Sequence, residues 1–515
     1  MIKKLVFFLF LLLIVSATFV GCADGQKESY GAYVQSAEEF YAALQNKEAV
    51  IRVGDLTFAE ETKIQLNYGL TIIGNGSGAT IKNAFFNVIG PNTAGETIDV
   101  VFDGIIFDGG HHNALPEERD KSFEDIFESE REDKRCINPD WGYVNLSLKN
   151  CGITGYAAVD GSAVHIGNTF HEGEQTFTLE NCRIYGNIAR NGTVKVYNNK
   201  LTTSISDCLF YDNTAGAAAG FVISNGRATI ENCKIENNVY FPFADLAYEE
   251  RGGGAYLGGV DAEMKNCVIR NNETVSGGGL AVVSAMSGNG KTLLQNCRVE
   301  NNRAENGGAV FVDSLQGQPI DFIGCEFYGN EASVKGSILY AEPYAYWTKK
   351  YNGGQINLLF CSAANNAAPD KGTFCFYEAN ELAGYIVLRG CLMLDESEYA
   401  PKGNYNYVTT AKKALEDGAV VSVTVSENES LKAVKGSSAD IVVPAEIYSG
   451  WHAVFASATA DHTIGEYRQP IVRTPVIGGL IGIFIVIAVI VLSSVAIITV
   501  IVTKKKKAPE SRVIG

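Results

Sequence analysis

Twelve cysteines, six histidines and 58 acidic residues are the groups in this 515-residue chain that could bind metal, exchange electrons or move protons. Their spacing restricts each use. No Cys-x-x-Cys pair occurs. The histidines His111, His112, His165, His171, His452 and His462 lack the His-Glu-x-x-His spacing that sets two imidazoles on one helix face around zinc. No EF-hand loop or other dense carboxylate motif offers itself to Ca²⁺. Glycan cleavage needs two carboxylates at a set separation, or a base with a partner that neutralises charge. Asp160, His165, Asp261 and Asp313 lie on or beside strand-like segments but form no doublet. No catalytic residue, metal ligand or cofactor is assigned from the sequence.

Aromatic clusters offer binding rather than bond-breaking. Tyr240 and Phe243 fall in one long insertion with Tyr248, and Tyr344, Tyr346 and Trp347 fall in another with Tyr351. Trp141 closes a charged insertion running from Asn113 to Arg135, which is expected to be a solvated loop with some helix. Such rings either stack on sugars and partner proteins or pack over the sides of the fold and seal it.

What must position these groups is a repeat. Nine cysteines recur in one frame: Cys151, Cys182, Cys208, Cys233, Cys267, Cys297, Cys325, Cys361 and Cys391, at intervals of 25 to 36 residues. An apolar residue follows two later, as in Ile184, Phe210, Ile235, Ile269, Val299 and Phe327. An Asn stands five later at Asn187, Asn213, Asn238, Asn272, Asn302, Asn330 and Asn366, and a glycine-led apolar strand follows. Side chains two apart share a strand face. One such unit of two or three strands cannot bury its apolar face alone, so copies must stack in register, about 4.8 Å apart. Cysteines and aliphatic residues then form inward columns, and the asparagines form corner columns that tolerate left-handed angles and bond a neighbouring amide. Stacked thiols point the same way at slightly more than disulfide reach, so an unbridged column is expected. Cys136 and Cys375 stand outside the frame.

The expected fold class is all-β, a right-handed parallel β-helix of roughly a dozen coils with an N-terminal capping helix and one C-terminal transmembrane helix. The segments are 1–23 signal peptide, 24–48 cap, 49–404 β-helix, 405–473 terminal coils and stalk, 474–503 membrane span and 504–515 cytoplasmic tail. Ser36 with Glu39 forms a capping box for a helix over Ala37 to Leu44. Strands are expected at Ala49–Val53, Leu70–Ile73, Asp99–Phe107 and Ala419–Val425.

Both ends carry membrane signals. Lys3 and Lys4 precede an apolar run from Leu5 to about Val20, followed by the small residues of a cleavage site before Asp24. Phe19-Val20-Gly21-Cys22 also fits a lipoprotein box, in which Cys22 carries lipid, although a second anchor makes that lipid redundant. The run from Pro475 to Thr503 is uncharged and long enough to span a bilayer, and Lys504 to Lys507 keep its far end cytoplasmic. The net charge of −16 becomes −22 for residues 23–473 once the leader lysines (+2) and the tail (+4) are removed. That balance excludes nucleic acid as a partner. A hydrophobic content of 46% excludes a disordered chain, and the 54 glycines follow no Gly-X-Y period. Asn75, Asn145, Asn191, Asn272 and Asn428 begin Asn-x-Ser/Thr sequons, at a number chance accounts for.

Gly-Gly-Ala at 253–255 and 307–309, together with Phe210-x-x-Asn213 and Phe327-x-x-Asn330, resembles the repeat of polymorphic outer-membrane proteins over about residues 145–395. The preceding part looks like the start of pectate-lyase-like β-helix proteins. The resemblance implies a surface-exposed, adhesin-like protein, although a helical span stands where that family has an outer-membrane barrel. The expected function is a plasma-membrane, single-pass adhesin-like protein presenting its N-terminal part outside the cell to a glycan or a host or matrix protein. The alternatives are a surface polysaccharide lyase or glycoside hydrolase and a passive coat or spacer.

Overall fold

A computed structural model describes residues 31–75, 78–93, 95–112, 115, 121–127, 134–167, 173–243, 251–283, 291–313, 320–342, 355–359, 361–369, 374–376, 385–389, 392–393, 430–431 and 441–442. The chain divides into two compact units, Met1–Ile464 and Gly465–Gly515, and the described residues belong to the first. Cys22, Tyr248, Tyr344, Tyr346, Trp347, Tyr351, Cys391, Ala419–Val425, the leader and the expected membrane span lie outside them. Among the described residues no helix is long and apolar enough to cross a membrane.

One coil illustrates the fold. Gln175–Glu180, Arg183–Tyr185, Ile188–Asn191 and Val194–Tyr197 are four strands separated by bends, rather than the two or three expected. Each pairs in parallel with its counterpart one coil on, so Leu179 stands opposite Ile205, Ile184 opposite Phe210, Ile188 opposite Thr214 and Val196 opposite Ile223. The first strands of successive coils form a 13-stranded parallel sheet. The second and fourth strands run as two series joined through Ala79–Ile89, which pairs with both Ile105–Asp108 and Ile137–Trp141. The expected strand over Asp99–Phe107 is two strands, Ile98–Asp103 and Ile105–Asp108, because Gly104 turns between them at φ +68°.

Three columns of left-handed residues make the bends. One precedes each cysteine: Asn150, Asn181, Asp207, Asn232, Asn266 and Asn296 all have φ between 52° and 56°. The second lies four after the cysteine and includes Gly186, Asp212, Asn237, Asn271, Asn301 and Gly329. The third is Gly161, Gly192, Ala218, Gly252, Gly277, Gly307 and Gly336. This corrects the conformation expected for the corner asparagines. Asn187, Asn213, Asn238, Asn272, Asn302 and Asn330 are not left-handed; the residue just before each one is. Left-handed backbone costs an L-residue about 1–2 kcal/mol, so Gly, Asn and Asp fill all these positions except Ala218.

The corner asparagines form a buried hydrogen-bond ladder instead. The Oδ1 of Asn238 accepts from the backbone N of Asn213 at 3.2 Å and from its Nδ2 at 3.0 Å, while Asn238 Nδ2 donates to the Phe210 carbonyl at 3.1 Å. The pattern repeats from Asn187 to Asn366 and begins at Tyr156, whose N–H donates to Asn187 Oδ1. The ladder thereby pairs the backbone N–H and the side-chain amide at each rung, as burial demands. Cys151, Cys182, Cys208, Cys233, Cys267, Cys297, Cys325 and Cys361 make a second buried column, unbridged, with each thiol donating to a main-chain carbonyl, such as Cys233 Sγ to Glu231 O at 3.2 Å. Between the columns lies a continuous core that includes Ile184, Phe210, Ile235, Ile269, Val299 and Phe327.

The helix Ala37–Gln45 caps the N-terminal end. Ser36 Oγ accepts from Glu39 N at 3.2 Å, and Glu39 Oε2 accepts from Gln35 N at 2.7 Å, one residue before the expected partner. Phe40 is buried against Phe58 and Phe86, which closes the first coil.

Candidate functional site

Outward-facing side chains also form columns. On the fourth-strand series one column runs Asn87, Asn138, His165, Lys195, Val222, Tyr256, Ala281, Phe311, Tyr340, one residue per coil. Its early rungs are polar and its late rungs are aromatic. At the late end Phe311 and Tyr340 stack with ring centroids 5.9 Å apart, and the Arg251 guanidinium lies 4.9 Å above Phe311 while pairing with Asp313. Asp313 is buried in that pair, and Asp261 is exposed on the 13-stranded sheet, so neither meets another of the carboxylates considered for cleavage.

The early end gathers a cluster. Asp160, on Ala157–Asp160, accepts from Lys195 Nζ at 2.7 Å and from Asn191 Nδ2 at 2.9 Å. Arg135 is only 6% exposed and donates Nε to the Asp160 carbonyl at 2.8 Å and NH1 to Asn138 Oδ1 at 3.3 Å. Because that oxygen accepts from Arg135, the amide orientation of Asn138 is set, and His165 Nδ1, 3.2 Å away, must be the protonated ring nitrogen. The lone pair is left on Nε2. Burial pushes the imidazole pKa down to about 3, helped by the charges of Arg135 and Lys195 and opposed by Asp160. Burial alone would raise the Asp160 carboxyl, but the Lys195 ammonium and the Asn191 hydrogen bond outweigh it and hold the group below its ordinary value. Among the described residues the cluster therefore holds two cations, the buried Arg135 and the partly exposed Lys195, with one carboxylate and a neutral imidazole.

Glycines shape the slot around His165. A Cβ on Gly167 would lie 2.5 Å from the ring Cε1, and one on Gly161, at φ +58°, would lie 2.7 Å from the His165 Cβ. Aromatics border the cluster. Trp141 is 61% exposed three residues beyond Asn138, and Tyr197 is 45% exposed two residues beyond Lys195. Polar groups braced by burial beside two open rings suit a sugar that offers both a charge and an apolar ring face.

The other aromatics named from sequence divide. Phe243 is 3% exposed, packed on Phe123 at 5.2 Å and Phe241 at 4.8 Å. It belongs to a satellite core with Ala157, Val159 and Ile188, under the short helix Phe123–Phe127 of the charged insertion, and so seals the side of the coil. Tyr240 lines a groove on the same face. From sequence, no site role falls to Arg135, Asn138, Lys195 or Tyr197, and Asn191 is marked only as the start of a sequon. Aligning Val164-His165 on Val194-Lys195 places His165 and Lys195 in one column, but their leading glycines, Gly161 and Gly192, lie four and three residues ahead, so an alignment on the glycines misses the pair. Among the described residues no group of three or more His, Cys, Asp or Glu could hold a metal ion.

The fold and this face define a parallel β-helix carrying a cationic, aromatic-bordered outer surface. Residues 137–343 match the family model of the right handed beta helix region, which fixes the hand of the coil. No curated protein matches the chain. Among solved structures, a PL6 alginate lyase in complex with a trisaccharide is similar over 81% of this chain and 94% of its own, at 13% identity and TM-score 0.37. A mannuronic acid specific polysaccharide family 6 lyase from human gut microbiota is similar over 75% and 94%, at 12% identity and TM-score 0.26. At those scores neither likeness carries an argument about this chain.

Proposed function

We propose that this protein is a cell-surface, adhesin-like β-helix that binds an acidic glycan across the face from Trp141 to Tyr197, held to the membrane by the apolar segment 474–503. The observation that carries the reading is the meeting of Arg135 and Lys195, both fixed by Asp160, with two exposed rings in a chain whose overall charge is −16. A cationic patch selects an anionic partner locally, against the longer-range repulsion of the acidic surface around it. The Gly-Gly-Ala and Phe-x-x-Asn repeats, which resemble those of surface adhesins, and the two end signals favour the same location. The test is binding of the full-length protein to oligogalacturonate, oligomannuronate and a neutral oligoglucan of equal length. Acidic oligomers are expected to bind at least tenfold tighter, with affinity falling as salt rises. Equal affinity for the neutral oligomer would sink the reading.

One observation favours cleavage as a second reading. The open lone pair of His165 Nε2 lies beside two cations, which is what a base needs to remove a proton next to a sugar carboxylate. A base with a pKa of about 3 is poorly matched to neutral pH, however, and binding without turnover is the better account. Ultraviolet-absorbing unsaturated product, lost in His165→Gln, would reverse the order.

A further inference from the structure

Neither glycan binding nor cleavage uses the cysteine column. Its eight thiols, from Cys151 to Cys361, are buried and unbridged. Register stacks them one per coil: Leu179, Ile205 and Ile230 pair in line just before Cys182, Cys208 and Cys233, and Ile184, Phe210 and Ile235 pair in line just after. Thiols along the column meet the same two carbonyls, one two residues back and one in the coil before. Cys233 Sγ lies 3.2 Å from Glu231 O and 3.7 Å from Ile205 O, and Cys297 Sγ lies 3.4 Å from Gln295 O and 3.5 Å from Met264 O. Cys361 Sγ lies 3.5 Å from Leu359 O and 3.4 Å from Phe322 O. Repeated contacts mean a repeated rotamer, so the sulfurs inherit the strand spacing of about 4.8 Å. That gap is far longer than an S–S bond of about 2.05 Å. It matches two metal–thiolate bonds of about 2.3 Å laid end to end.

We propose that neighbouring thiols of this column bind Cu(I) in pairs, one ion in line between two sulfurs of successive coils. A pair offers two donors, and the side chains flanking it, such as Ile184 and Phe210, are apolar core residues. Zn²⁺ takes four ligands in a tetrahedron, which such a pair does not supply. Cu(I) is soft, prefers thiolate and is satisfied by two ligands in line. Two sulfurs per ion is fewer than the groups of three or more that are absent among the described residues. Burial pushes the thiols of Cys208, Cys267 and Cys325 well up, so their protons yield only to an ion of high thiolate affinity. For each ion bound, two S–H bonds break, two Cu–S bonds form, two protons leave to solvent and no oxidation state changes. The bridge carries one negative charge spread over two sulfurs. A backbone donor meets it, since the Cys182 N–H donates to Cys208 Sγ at 3.4 Å. The column shares no residue with the glycan-binding face, so it stands or falls apart from that reading.

The experiment loads the full-length protein with Cu(I) under nitrogen, by long incubation and by refolding because the column is sealed, and counts the ions retained through gel filtration. Eight thiols taken two at a time are expected to hold four ions, and thiols outside the column contribute equally to every variant below. X-ray absorption at the copper edge is expected to show two sulfur neighbours and no nitrogen or oxygen. Two double variants separate bridging from binding at single thiols. Cys151→Ala with Cys182→Ala removes one adjacent pair and is expected to lose one ion. Cys182→Ala with Cys233→Ala removes as many thiols but leaves Cys151 and Cys208 without a neighbouring thiol in the column, and is expected to lose two. Cys325→Ala with Cys361→Ala repeats the adjacent deletion at the other end, should the first variant fold poorly. Zn²⁺ offered in place of Cu(I) is expected to wash away. No retained copper, equal losses from the adjacent and spaced variants, nitrogen or oxygen neighbours at copper, or Zn²⁺ retained as well as Cu(I) would each overturn the proposal.

Discussion

The Asn187–Asn366 corner and the outward column from Asn138 to Lys195 obey one stacking rule and use it oppositely. At the corner every coil repeats the same residue, each amide serving the one before it, so that the column is a single buried structure. On the outward column each coil differs. Asn138 is held by Arg135, just ahead of its own strand, His165 by Asn138, and Lys195 by Asp160, which Asn191 braces in turn. Repetition marks what the fold needs, since each coil has the same bend to satisfy. Departure from repetition marks what one place on the surface needs. The contrast also separates the kinds of loss expected on mutation, stability at the corner and affinity on the face.

The largest expected effect is at the corner. Asn238→Ala removes the partner of the Asn213 N–H, one of the two acceptors of its Nδ2, which keeps the Ile184 carbonyl, and the side-chain donor to the Phe210 carbonyl. At about 1–3 kcal/mol for a buried group left unpaired, roughly 3 kcal/mol or more of stability is expected to go, read by denaturant unfolding. A loss below about 1 kcal/mol would mean that the ladder merely accompanies the bend. Next comes Lys195→Met, which keeps the stem and removes the charge. Acidic-glycan affinity is expected to fall about 2 kcal/mol, in the range for hydrogen bonds to charged groups, and isothermal calorimetry can compare the variant with the parent protein. Unchanged affinity would detach Lys195 from binding.

Acid should distinguish the two columns further. The His165 pKa of about 3 in the fold lies below the unfolded value of about 6.5, so as pH falls the unfolded chain takes up the proton first. The stability tied to neutral His165 is therefore complete above about pH 6.5 and is lost as pH drops toward 3. Asp160, also lowered, acts in the same direction below the ordinary carboxylate pKa. His165→Gln is expected to flatten the melting-temperature profile between those limits, and a profile with the parent slope would contradict the buried neutral imidazole. A smaller effect is expected at Trp141→Ala, with affinity down by about 1 kcal/mol and stability within about 0.5 kcal/mol, as usual for an exposed position. The smallest is a gain. Ala218 sits at φ +46° in a column otherwise of glycine, and Ala218→Gly is expected to stabilise by about 1 kcal/mol or less. A loss there would show that the bend tolerates a side chain without strain.

The interval between cysteines, the Asn five residues on and the alternation of apolar residues were enough to specify stacked parallel coils, because the bend chemistry is written locally and then copied. The Ser36 cap was legible because a capping box is likewise written within a few residues. Four strands rather than two or three were not, because three-residue strands such as Arg183–Tyr185 are too short for alternation to declare them. The left-handed residue was misplaced by one position, since Asn occurs on both sides of the bend and only the backbone distinguishes the two. Phe243 and Trp141 carry the same kind of side chain and met opposite fates, one under the insertion and one in solvent.

The sequence by itself determined the coil, because each repeat carries its own corners and its own inward face. Only the tertiary structure decided the site, because Asp160, His165 and Lys195 come from three different strands, Arg135 from the segment before a fourth, and the loops between these coils differ in length. Their meeting depends on the register of stacking, a long-range quantity that no single repeat contains.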